Sequence, residues 1–383
     1  MNTDSPWFDD THRMLRDTLR RFVDNEIVPV ARGWEDAGCV PREVLRRMGG
    51  LGFLGLRCPE AYGGAGMNVL GTAVLAEELG RSSFGGFAVT VLVHTDMASP
   101  HLMHAGSPGQ LERHMPAIVA GEKITAVAVT EPDAGSDVRS IRTTARREGA
   151  DWVLNGAKMY ITNGVHGDIF FVAAKTGEAA TRNHQMSMFI VEKGTPGFAV
   201  ARPLKKHGWL CSDTAELVFD NCRIPAANLL GEENKGFYAL MKNLQNERIV
   251  LGAQAMGEAS KALEITLDWL TQRRAFGAPL WEKQAIRHRL AMLASRVEAA
   301  QALVYNTAWR DAQGPSVPKE VSMIKALCGE LVNEVMYDCL QFHGGFGYIR
   351  EAAIERMTRD ARIQSIGGGA TEVMLEEVAK RMV

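Results

Sequence analysis

Residues 236–276 read GFYALMKNLQNERIVLGAQAMGEASKALEITLDWLTQRRAF, and this run without proline predicts one long helix. Leu240, Leu244 and Leu251 recur at helical spacing and form an apolar stripe. Glu247 lies on the same stripe. A carboxylate on a buried face lowers stability unless it is paired with a cation or used in chemistry. The helix therefore marks both an element of the fold and a candidate functional group.

The helix itself supplies Glu247 with no cation. The residues three and four positions away are Asn243, Leu244, Val250 and Leu251, and none of them is basic. Two interpretations follow. In the structural one, the carboxylate pairs with an arginine that is distant in sequence, or the helix face is more open than the pattern suggests. In the functional one, the carboxylate acts as a catalytic base. Structural ion pairs also occupy apolar helix faces, so this helix alone leaves both interpretations open.

The composition argues against several classes of protein. With 383 residues, 46% of them apolar, the chain is long enough for two or three domains and a large core. A formal net charge of -2 argues against a nucleic-acid surface. No apolar run reaches transmembrane length, and residues 1–10 lack the pattern of a signal peptide. The cysteines are scattered, as in reduced cytoplasmic proteins, and the histidines show no metal-ligand spacing, so no metal site is predicted.

The periodicity of apolar residues divides the chain into three parts. Residues 1–121 are helical in pattern, residues 122–231 are rich in short strands, and residues 232–383 are helical again. Strands without intervening helices favour an antiparallel barrel or sandwich, and Asn155-Gly156 predicts a tight turn. The predicted fold class is therefore α+β. The predicted strands cover residues 124–129, 143–147, 152–154, 169–173, 186–191, 198–201 and 215–219, and the longest predicted helices cover residues 236–274 and 318–343.

Two motifs of the middle part suit a ligand. Thr130–Asp137 reads TEPDAGSD and directly follows a predicted strand. Such a loop presents hydroxyl and backbone N–H groups at a fixed place, which suits a heterocyclic or phosphate ligand. Lys158–Gly164 reads KMYITNG and places Tyr160 and Thr162 two residues apart, on one face of a strand. An ordinary loop and an ordinary strand end remain the alternatives.

Three motifs of the C-terminal part could bind an anionic ligand. Gln341–Tyr348 reads QFHGGFGY, and Gly367–Thr371 reads GGGAT ahead of a helical run. Glycines that open a helix let a ligand approach the backbone, and a helix N-terminus favours anions. Arg273–Gly277 reads RRAFG at the end of the long helix, where a cation could bind a diphosphate. Flexible turns and a cation that complements the helix dipole are the alternatives.

Together and in this order, these motifs resemble those of the acyl-CoA dehydrogenase family, and the resemblance covers nearly the whole chain. Its most specific parts are TEPDAGSD with KMYITNG, and RRAFG with QFHGGFG. The resemblance implies an N-terminal helical domain, a middle antiparallel β-barrel and a C-terminal four-helix bundle. It also implies an enzyme that uses FAD for the α,β-dehydrogenation of an acyl-CoA thioester.

The resemblance also implies which residues hold FAD between the middle domain and the bundle. The flavin ring is expected to contact the two middle-domain motifs, at Val127, Val129, Thr130, Ser136, Tyr160 and Thr162. A partner subunit is expected to supply the diphosphate and adenosine contacts, from Arg273, Phe276, Gln284, Gln341, Gly344 and Gly345. Thr371 and Glu372 are expected to close the site. A cofactor shared in this way implies at least a dimer, and the family is usually a homotetramer, a dimer of dimers.

The resemblance favours Glu247 as the catalytic base. Many members carry the base in the loop before the last helix, but that position here is Gly368. A subgroup that includes isovaleryl-CoA and long-chain acyl-CoA dehydrogenases carries it on the long helix before an arginine, as in Glu247-Arg248. Apolar surroundings are expected to raise the pKa of Glu247. The Gly368 N–H is expected to donate to the thioester carbonyl. Ser136 and Arg248 match substrate-side positions, with a structural role as the alternative for Arg248.

A finer likeness is to citronellyl-CoA dehydrogenases, which act on branched terpenoid acyl groups. It rests on HTDMASP at His94–Pro100, CSDTA at Cys211–Ala215 and SIGGGATEVML at Ser365–Leu375. Gly368 is expected to leave room for a β-substituent. The expected electron acceptor is an electron-transferring flavoprotein, and no nucleic-acid or membrane partner is expected. The alternatives are a carrier-protein thioester as substrate, an oxygen-using acyl oxidase, and a non-catalytic flavin-binding protein.

Overall fold

The computed structural model describes residues 5–177, 185–314 and 316–383. Residues 1–4, part of the segment in which no signal peptide is expected, lie outside the described residues. The same holds for residues 178–184 of the expected middle domain and for residue 315 of the expected C-terminal domain. In the described part of the chain, no helix is both long enough and apolar enough to cross a membrane.

The described N-terminal part is helical, as the sequence predicts. Its α-helices are α1 (Asp10–Phe22), α2 (Ala31–Ala37), α3 (Arg42–Gly50), α4 (Val69–Gly80), α5 (Gly85–Leu92), α6 (Ser99–Ala105) and α7 (Pro108–Val119). A π-helical turn, Val93–Ala98, joins α5 to α6 and is fully buried. Such turns widen a helix locally and redirect its side chains and carbonyl groups. This turn carries the polar residues His94 and Asp96, which contact Thr125 of the sheet and Asn243 of the long helix.

A mixed sheet follows the helices. Its strands are β1 (Thr125–Ala128), β2 (Thr144–Glu148), β3 (Asp151–Thr162), β4 (Ile169–Lys175), β5 (Met186–Glu192), β6 (Phe198–Pro203), β7 (Thr214–Pro225) and β8 (Leu229–Leu230). The strand order is β6-β7-β3-β2-β4-β5-β8, and β1 pairs with β4. The prediction of purely antiparallel pairing was wrong at β4, since β1 and β2 both run parallel to it.

The tight turn predicted at Asn155-Gly156 was wrong. Both residues lie inside β3, at a register shift against β7 between Leu154 and Gly156. A Cβ on Gly156 would lie 2.5 Å from the Oγ1 atom of Thr143, the residue before β2. The glycine therefore allows the two chain segments to approach closely and does not reverse the chain direction. Asn155 uses its side-chain oxygen to accept a hydrogen bond from the Asn221 N–H at 2.8 Å. Tertiary contact therefore overrides the local turn preference.

The C-terminal part is again helical. Its helices are α8 (Gly236–Gln272), α9 (Gln284–Ala312), α10 (Pro318–His343), α11 (Ala353–Ala361) and α12 (Thr371–Ala379), and the short strands β9 (Arg274–Ala275) and β10 (Ala278–Pro279) join α8 to α9. The long run of the sequence is one helix, as predicted, although it ends before the aromatic Phe276. Helix α10 has its predicted bounds.

Helix α8 also packs against the N-terminal helices. It crosses α4 at two glycines, where a Cβ on Gly257 would lie 2.2 Å from the Glu77 carbonyl oxygen and one on Gly80 would lie 2.4 Å from that of Gln254. Such close backbone approach needs glycine on both helices. The N-terminal helices and the bundle thus pack closely against each other along α8.

Candidate active site

Glu247 lies near the N-terminal end of α8 and is partly buried. Burial raises the pKa of its carboxyl group to about 7. The Asn243 amide donates a hydrogen bond to Glu247 Oε1 at 2.9 Å, and this contact and the Arg248 charge lower the pKa, whereas Asp96 raises it. The carboxyl group is therefore able to change protonation state near neutral pH, as a proton acceptor must.

The π-helical turn links this carboxyl group to the sheet. The main-chain carbonyl of Asp96 accepts hydrogen bonds from Asn243 and Asn246 of α8, at 3.0 and 3.2 Å. Two residues earlier, His94 accepts a hydrogen bond at Nδ1 from the Thr125 N–H at 3.1 Å. The turn therefore contacts both the helix that carries Glu247 and the strand that leads into the TEPDAGSD loop.

The glycine loop before α12 is held by Lys325 of α10. The buried Lys325 Nζ donates to the carbonyl oxygens of Gln364 at 2.5 Å and Gly369 at 3.1 Å. Gly368 lies in the sequence between these two contacted residues, is exposed and has φ of 68°. A Cβ at Gly368 would lie 2.4 Å from Leu251 Cδ1, one helical turn beyond Glu247. Leu251 thus occupies the space beside Gly368, so the expected room for a β-substituent is not provided by this glycine alone.

The other residues expected near this loop, Arg248, Thr371 and Glu372, have different surroundings. Arg248 faces α10, where its Nη1 lies 3.5 Å from Ser322 Oγ. Burial lowers the pKa of its guanidinium, and the charges of Glu247 and Glu377 oppose this effect. These contacts agree with a structural role for Arg248. The Thr371 hydroxyl at the start of α12 is buried and has no partner in the described part of the chain, whereas Glu372 is exposed.

The two middle-domain motifs are joined by a buried ion pair. The Lys158 Nζ lies 2.7 Å from Glu131 Oε1 and also donates to the Val129 carbonyl at 2.9 Å. The Met159 N–H donates to the Thr130 carbonyl at 2.9 Å. A buried pair of this kind specifies geometry because separating its partners leaves an uncompensated charge. The loop and the strand are therefore held together, with Val127, Val129 and Thr130 partly buried and Ser136 exposed.

Tyr160 lies in a β-bulge, so the expectation that it shares a strand face with Thr162 was wrong. The pairing of β3 with β7 shifts register between Lys158 and Ile161, and Tyr160 has φ of 62°. A bulge interrupts the alternation on which the same-face argument depends. The Tyr160 side chain is 66% exposed, whereas Thr162 is only partly exposed. The bulge thus turns a large aromatic side chain outward at this end of the sheet.

The remaining expected FAD contacts lie together at the far end of the bundle. Trp269, in the last turn of α8, stacks on His343 and Phe346 with ring centroids 5.2 and 5.0 Å apart, and the Arg273 guanidinium lies 5.9 Å from the Trp269 ring. This aromatic cluster joins the end of α8 to the QFHGGFG motif. All six residues expected there are exposed, namely Arg273, Phe276, Gln284, Gln341, Gly344 and Gly345.

The structure does not bring the two groups of site residues together within one chain. Glu247 and Arg273 are separated by about 26 residues of one helix, or roughly 39 Å at 1.5 Å per residue. Glu247 and Leu251 lie one helical turn apart in the N-terminal half of α8, where Leu251 packs against Gly368, whereas Arg273 follows the last residue of α8. Among the described residues, no cluster of histidine, cysteine and carboxylate side chains is placed to hold a metal ion.

Sequence reasoning missed three residues around Glu247. Asn243 lies one helical turn before Glu247, but only a basic side chain was sought there, and an amide can also donate to a carboxylate. Lys325 lies on the buried face of α10 beside Ile324, and a lysine on an apolar stripe is a signal that could have found it. Asp96 carried no signal, because the π-helical turn that buries it has no sequence pattern of its own.

Family models match the chain in three consecutive segments. They are described as the acyl-CoA dehydrogenase N-terminal domain at residues 9–122, the middle domain at residues 126–222 and the C-terminal domain at residues 234–383. Together they cover most of the chain.

Curated relatives and solved structures agree with these models. The chain is 40% identical to a mitochondrial long-chain specific acyl-CoA dehydrogenase of Mus musculus, over 98% of this chain and 87% of that protein. It is 36% identical to a mitochondrial isovaleryl-CoA dehydrogenase of Pongo abelii, over 94% and 86%. An acyl-CoA dehydrogenase structure from Geobacillus kaustophilus matches with TM-score 0.95 and 37% identity, covering 99% of each chain. A glutaryl-CoA dehydrogenase of Mycobacterium smegmatis in complex with FADH2 matches with TM-score 0.93 and 29% identity, covering 100% and 96%.

Proposed function

This chain belongs to the acyl-CoA dehydrogenase family, and we propose that Glu247 is the base that removes the α-proton of its acyl-CoA thioester. The enzyme is an FAD-dependent oxidoreductase. The observation that carries the proposal is the carboxyl group of Glu247, whose pKa is raised to about 7 and which lies one helical turn before Leu251, the residue that packs against the acid-free loop at Gly368. A base is most effective when its pKa lies near the working pH.

The chain's own groups divide the chemistry between them. The Glu247 carboxylate accepts the α-proton of the thioester and becomes neutral. The exposed Gly368 N–H is the proposed donor to the thioester carbonyl, where it stabilises the negative charge that develops as the proton leaves. Bound FAD supplies the acceptor for the hydrogen and the two electrons lost from Cβ. Ser136 and Arg248 are the other proposed substrate-side residues.

The residues present fit FAD. The buried Thr371 hydroxyl has no partner among the described residues, so it is available to a ligand atom. A Cβ at Gly344 or Gly345 would meet no other atom within 4 Å, so the backbone there is open to close approach. Arg273 offers an exposed cation for a diphosphate. The proposed ring contacts are Val127, Val129, Thr130, Ser136, Tyr160 and Thr162, and the proposed contacts to the other half are Arg273, Phe276, Gln284, Gln341, Gly344 and Gly345, with Thr371 and Glu372 closing the site.

We propose that two subunits share each cofactor. The support is the separation of Glu247 from Arg273 along α8, since one chain does not bring both groups to a single site. A two-fold symmetric dimer would repeat this arrangement twice, and a dimer of dimers would make the proposed homotetramer. An electron-transferring flavoprotein is the proposed acceptor of the electrons. A cytoplasmic location is also proposed, in agreement with six free cysteines.

For the acyl group, we propose a methyl-branched chain of terpenoid type. The support is the likeness of residues 94–100, 211–215 and 365–375 to citronellyl-CoA dehydrogenases. Anaerobic titration of the flavin absorbance with straight and methyl-branched acyl-CoA thioesters tests this proposal. Bleaching by branched thioesters is the expected result, and bleaching by straight chains alone contradicts it. Oxygen consumption and carrier-protein thioesters in the same assay test the oxidase and carrier-protein alternatives.

Glu247→Gln tests the base directly. The amide cannot accept the proton, so the rate of flavin reduction by the best thioester is expected to fall by about 10³-fold or more, while FAD and thioester still bind. The measurement is anaerobic stopped-flow absorbance. Glu258→Gln is the matched control, because Glu258 is a buried carboxyl group of the same helix with a raised pKa. Equal rates in Glu247→Gln and the control would refute the assignment of the base and leave the FAD site intact.

A further inference from the structure

We propose that Asn243 is a positioning residue that anchors one oxygen of Glu247 as a hydrogen-bond acceptor and leaves the other oxygen for the proton. This inference rests on the proposed role of Glu247 as the base. Asn243 lies one helical turn before Glu247, on the same face of α8, and its side chain is fully buried. Its amide nitrogen donates to Glu247 Oε1 at 2.9 Å.

Two main-chain carbonyls fix the orientation of the Asn243 amide. The amide nitrogen also donates to the carbonyl oxygens of Asp96 at 3.0 Å and Met97 at 3.3 Å. A carbonyl oxygen only accepts, so these contacts determine which end of the amide is the nitrogen. With two hydrogens and three acceptors, one hydrogen is shared. Rotation of the amide would break both carbonyl contacts, so the nitrogen is held facing Glu247.

The contact distinguishes the two oxygens of Glu247. Oε1 receives the Asn243 donor, and Oε2 has no hydrogen-bond partner among the described residues. A donor toward a carboxylate stabilises the ionised form, and such charge-assisted bonds are stronger than neutral ones. Asn243 therefore favours the carboxylate over the acid and directs the proton to Oε2. Orientation of a catalytic group in this way lowers the entropy that must be lost in reaching the transition state.

Packing alone does not account for an amide at this position. The Asn243 side-chain oxygen is buried and has no partner in the described part of the chain. Such an unsatisfied acceptor destabilises a fold by roughly 1–3 kcal/mol, so an apolar side chain of similar size would suit a merely structural position better. An apolar residue would provide neither the contact to Glu247 nor the contacts to the Asp96 and Met97 carbonyls. Asn246 also has an unpartnered buried oxygen but gives Glu247 no hydrogen bond, so a comparison of the two asparagines separates the positioning role from packing.

Two charged groups modify the carboxyl group as well. Arg248, on the same helix, favours the ionised form of Glu247, and Asp96, on the π-helical turn packed against α8, disfavours it. Neither one donates a hydrogen bond to Glu247. Asn243 is thus the group that can both orient the carboxyl group and favour its charge.

The test compares Asn243→Ala with Asn246→Ala in the FAD-loaded enzyme. Asn246 donates to the same Asp96 carbonyl at 3.2 Å and also has an unpartnered buried oxygen, but it does not contact Glu247. Loss of the Asn243 donor is expected to raise the pH of half-maximal flavin reduction by about one unit and to lower the rate at pH 7 roughly tenfold. The dissociation constant of the thioester is expected to change less than about twofold. Asn246 also donates to Asp96 Oδ1 at 3.2 Å, a bond that favours the Asp96 charge, and this charge raises the pKa of Glu247. Asn246→Ala is therefore expected to leave the pH of half-maximal reduction unchanged or to lower it, in contrast to Asn243→Ala.

A spectroscopic titration separates this inference from the role of Glu247 in the reaction. The infrared band of the Glu247 carboxyl group is identified by its loss in Glu247→Gln, and its midpoint is expected to move upward in Asn243→Ala. A moved midpoint together with full activity of Glu247→Gln would support the contact and refute the base. An inactive Glu247→Gln together with unmoved midpoints in Asn243→Ala would support the base and overturn the role of Asn243.

Asn243→Leu keeps the test decisive if Asn243→Ala does not fold. Leucine has the same branching of side-chain heavy atoms as asparagine and offers no donor to Glu247. The pH of half-maximal reduction is therefore expected to rise as it does with alanine. A wild-type pH profile in Asn243→Leu would overturn the proposal.

Discussion

Two carboxyl groups of α8, the partly buried Glu247 and the buried Glu258, have raised pKa values but different surroundings. Glu247 faces the Gly368 end of the bundle. Glu258 is fully enclosed, accepts a hydrogen bond from Gln254 at 2.8 Å, and lies 3.5 Å from the Gln364 amide. Burial, assisted by the Asp360 charge, raises the pKa of Glu258 to about 8. Without a cation or an open side, Glu258 is a neutral structural acid at pH 7, whereas Glu247 is suited to exchange a proton.

Glu258→Gln is expected to flatten the pH dependence of stability. A carboxyl group whose pKa is higher in the folded state than the ordinary 4.5 binds more protons when folded, so its contribution is present at low pH and is lost as pH rises from about 4.5 to 8. Glutamine cannot ionise and is free of this loss. The gain in stability of the variant over wild type should therefore grow by on the order of 2–4 kcal/mol between pH 5 and pH 8. Urea unfolding at both pH values measures it, and parallel losses in the two proteins would contradict it.

At the scale of elements, the glycine loop before α12 is positioned by contacts from two helices. Lys325 of α10 holds the carbonyls on either side of Gly368, and Leu251 of α8 lies where a side chain at that glycine would be. The loop thus presents backbone N–H groups rather than a side chain. The loop has no acid at position 368, and Leu251 fills the space that a side chain there would need.

Gly368→Ala is expected to reduce flavin reduction at least tenfold. The left-handed backbone costs an alanine roughly 1–2 kcal/mol, and its Cβ would meet Leu251 Cδ1, so the loop or α8 must move. Gly367→Ala is the control, since its Cβ would lie 3.6 Å from Ile363 Cγ1, an ordinary contact. Stopped-flow reduction and thermal unfolding of both variants measure the effects. Similar rates in the two variants would show that the position of Gly368 is unimportant.

The elements could be predicted from the sequence where their pattern is local. Helix α10 begins at Pro318 and ends before glycines, so its bounds were predictable. The conformation of Asn155-Gly156 was not predictable, because it depends on Thr143, which directly precedes the neighbouring strand β2. For the site, Glu247 was found because a carboxylate on an apolar stripe is conspicuous. Its anchor was not, because the contact of Asn243 with Asp96 joins residues that are far apart in sequence and depends on packing.

At the scale of the molecule, α8 contacts all three parts of the chain, and at its first residue a Cβ on Gly236 would lie 2.8 Å from the Ser187 backbone in β5. Its glycine crossing with α4 ties it to the N-terminal helices, Asn243 and Asn246 tie it to the π-helical turn, and Trp269 ties its end to α10. Such close backbone packing leaves little freedom for the helix to shift. The distance between its two functional ends is therefore fixed by the fold.

The length of α8 has a genetic consequence. If each site takes Glu247 from one subunit and Arg273 from the other, a chain with Glu247→Gln and a chain with Arg273→Ala carry defects in complementary halves. In a mixed dimer, one site then carries both defects and the other carries neither. Random co-assembly makes about half of the dimers mixed, so about a quarter of all sites should be intact. A host that expresses both inactive alleles would regain activity that neither allele gives alone. Failure of the co-expressed, co-purified chains to complement each other would mean that each subunit builds its site by itself.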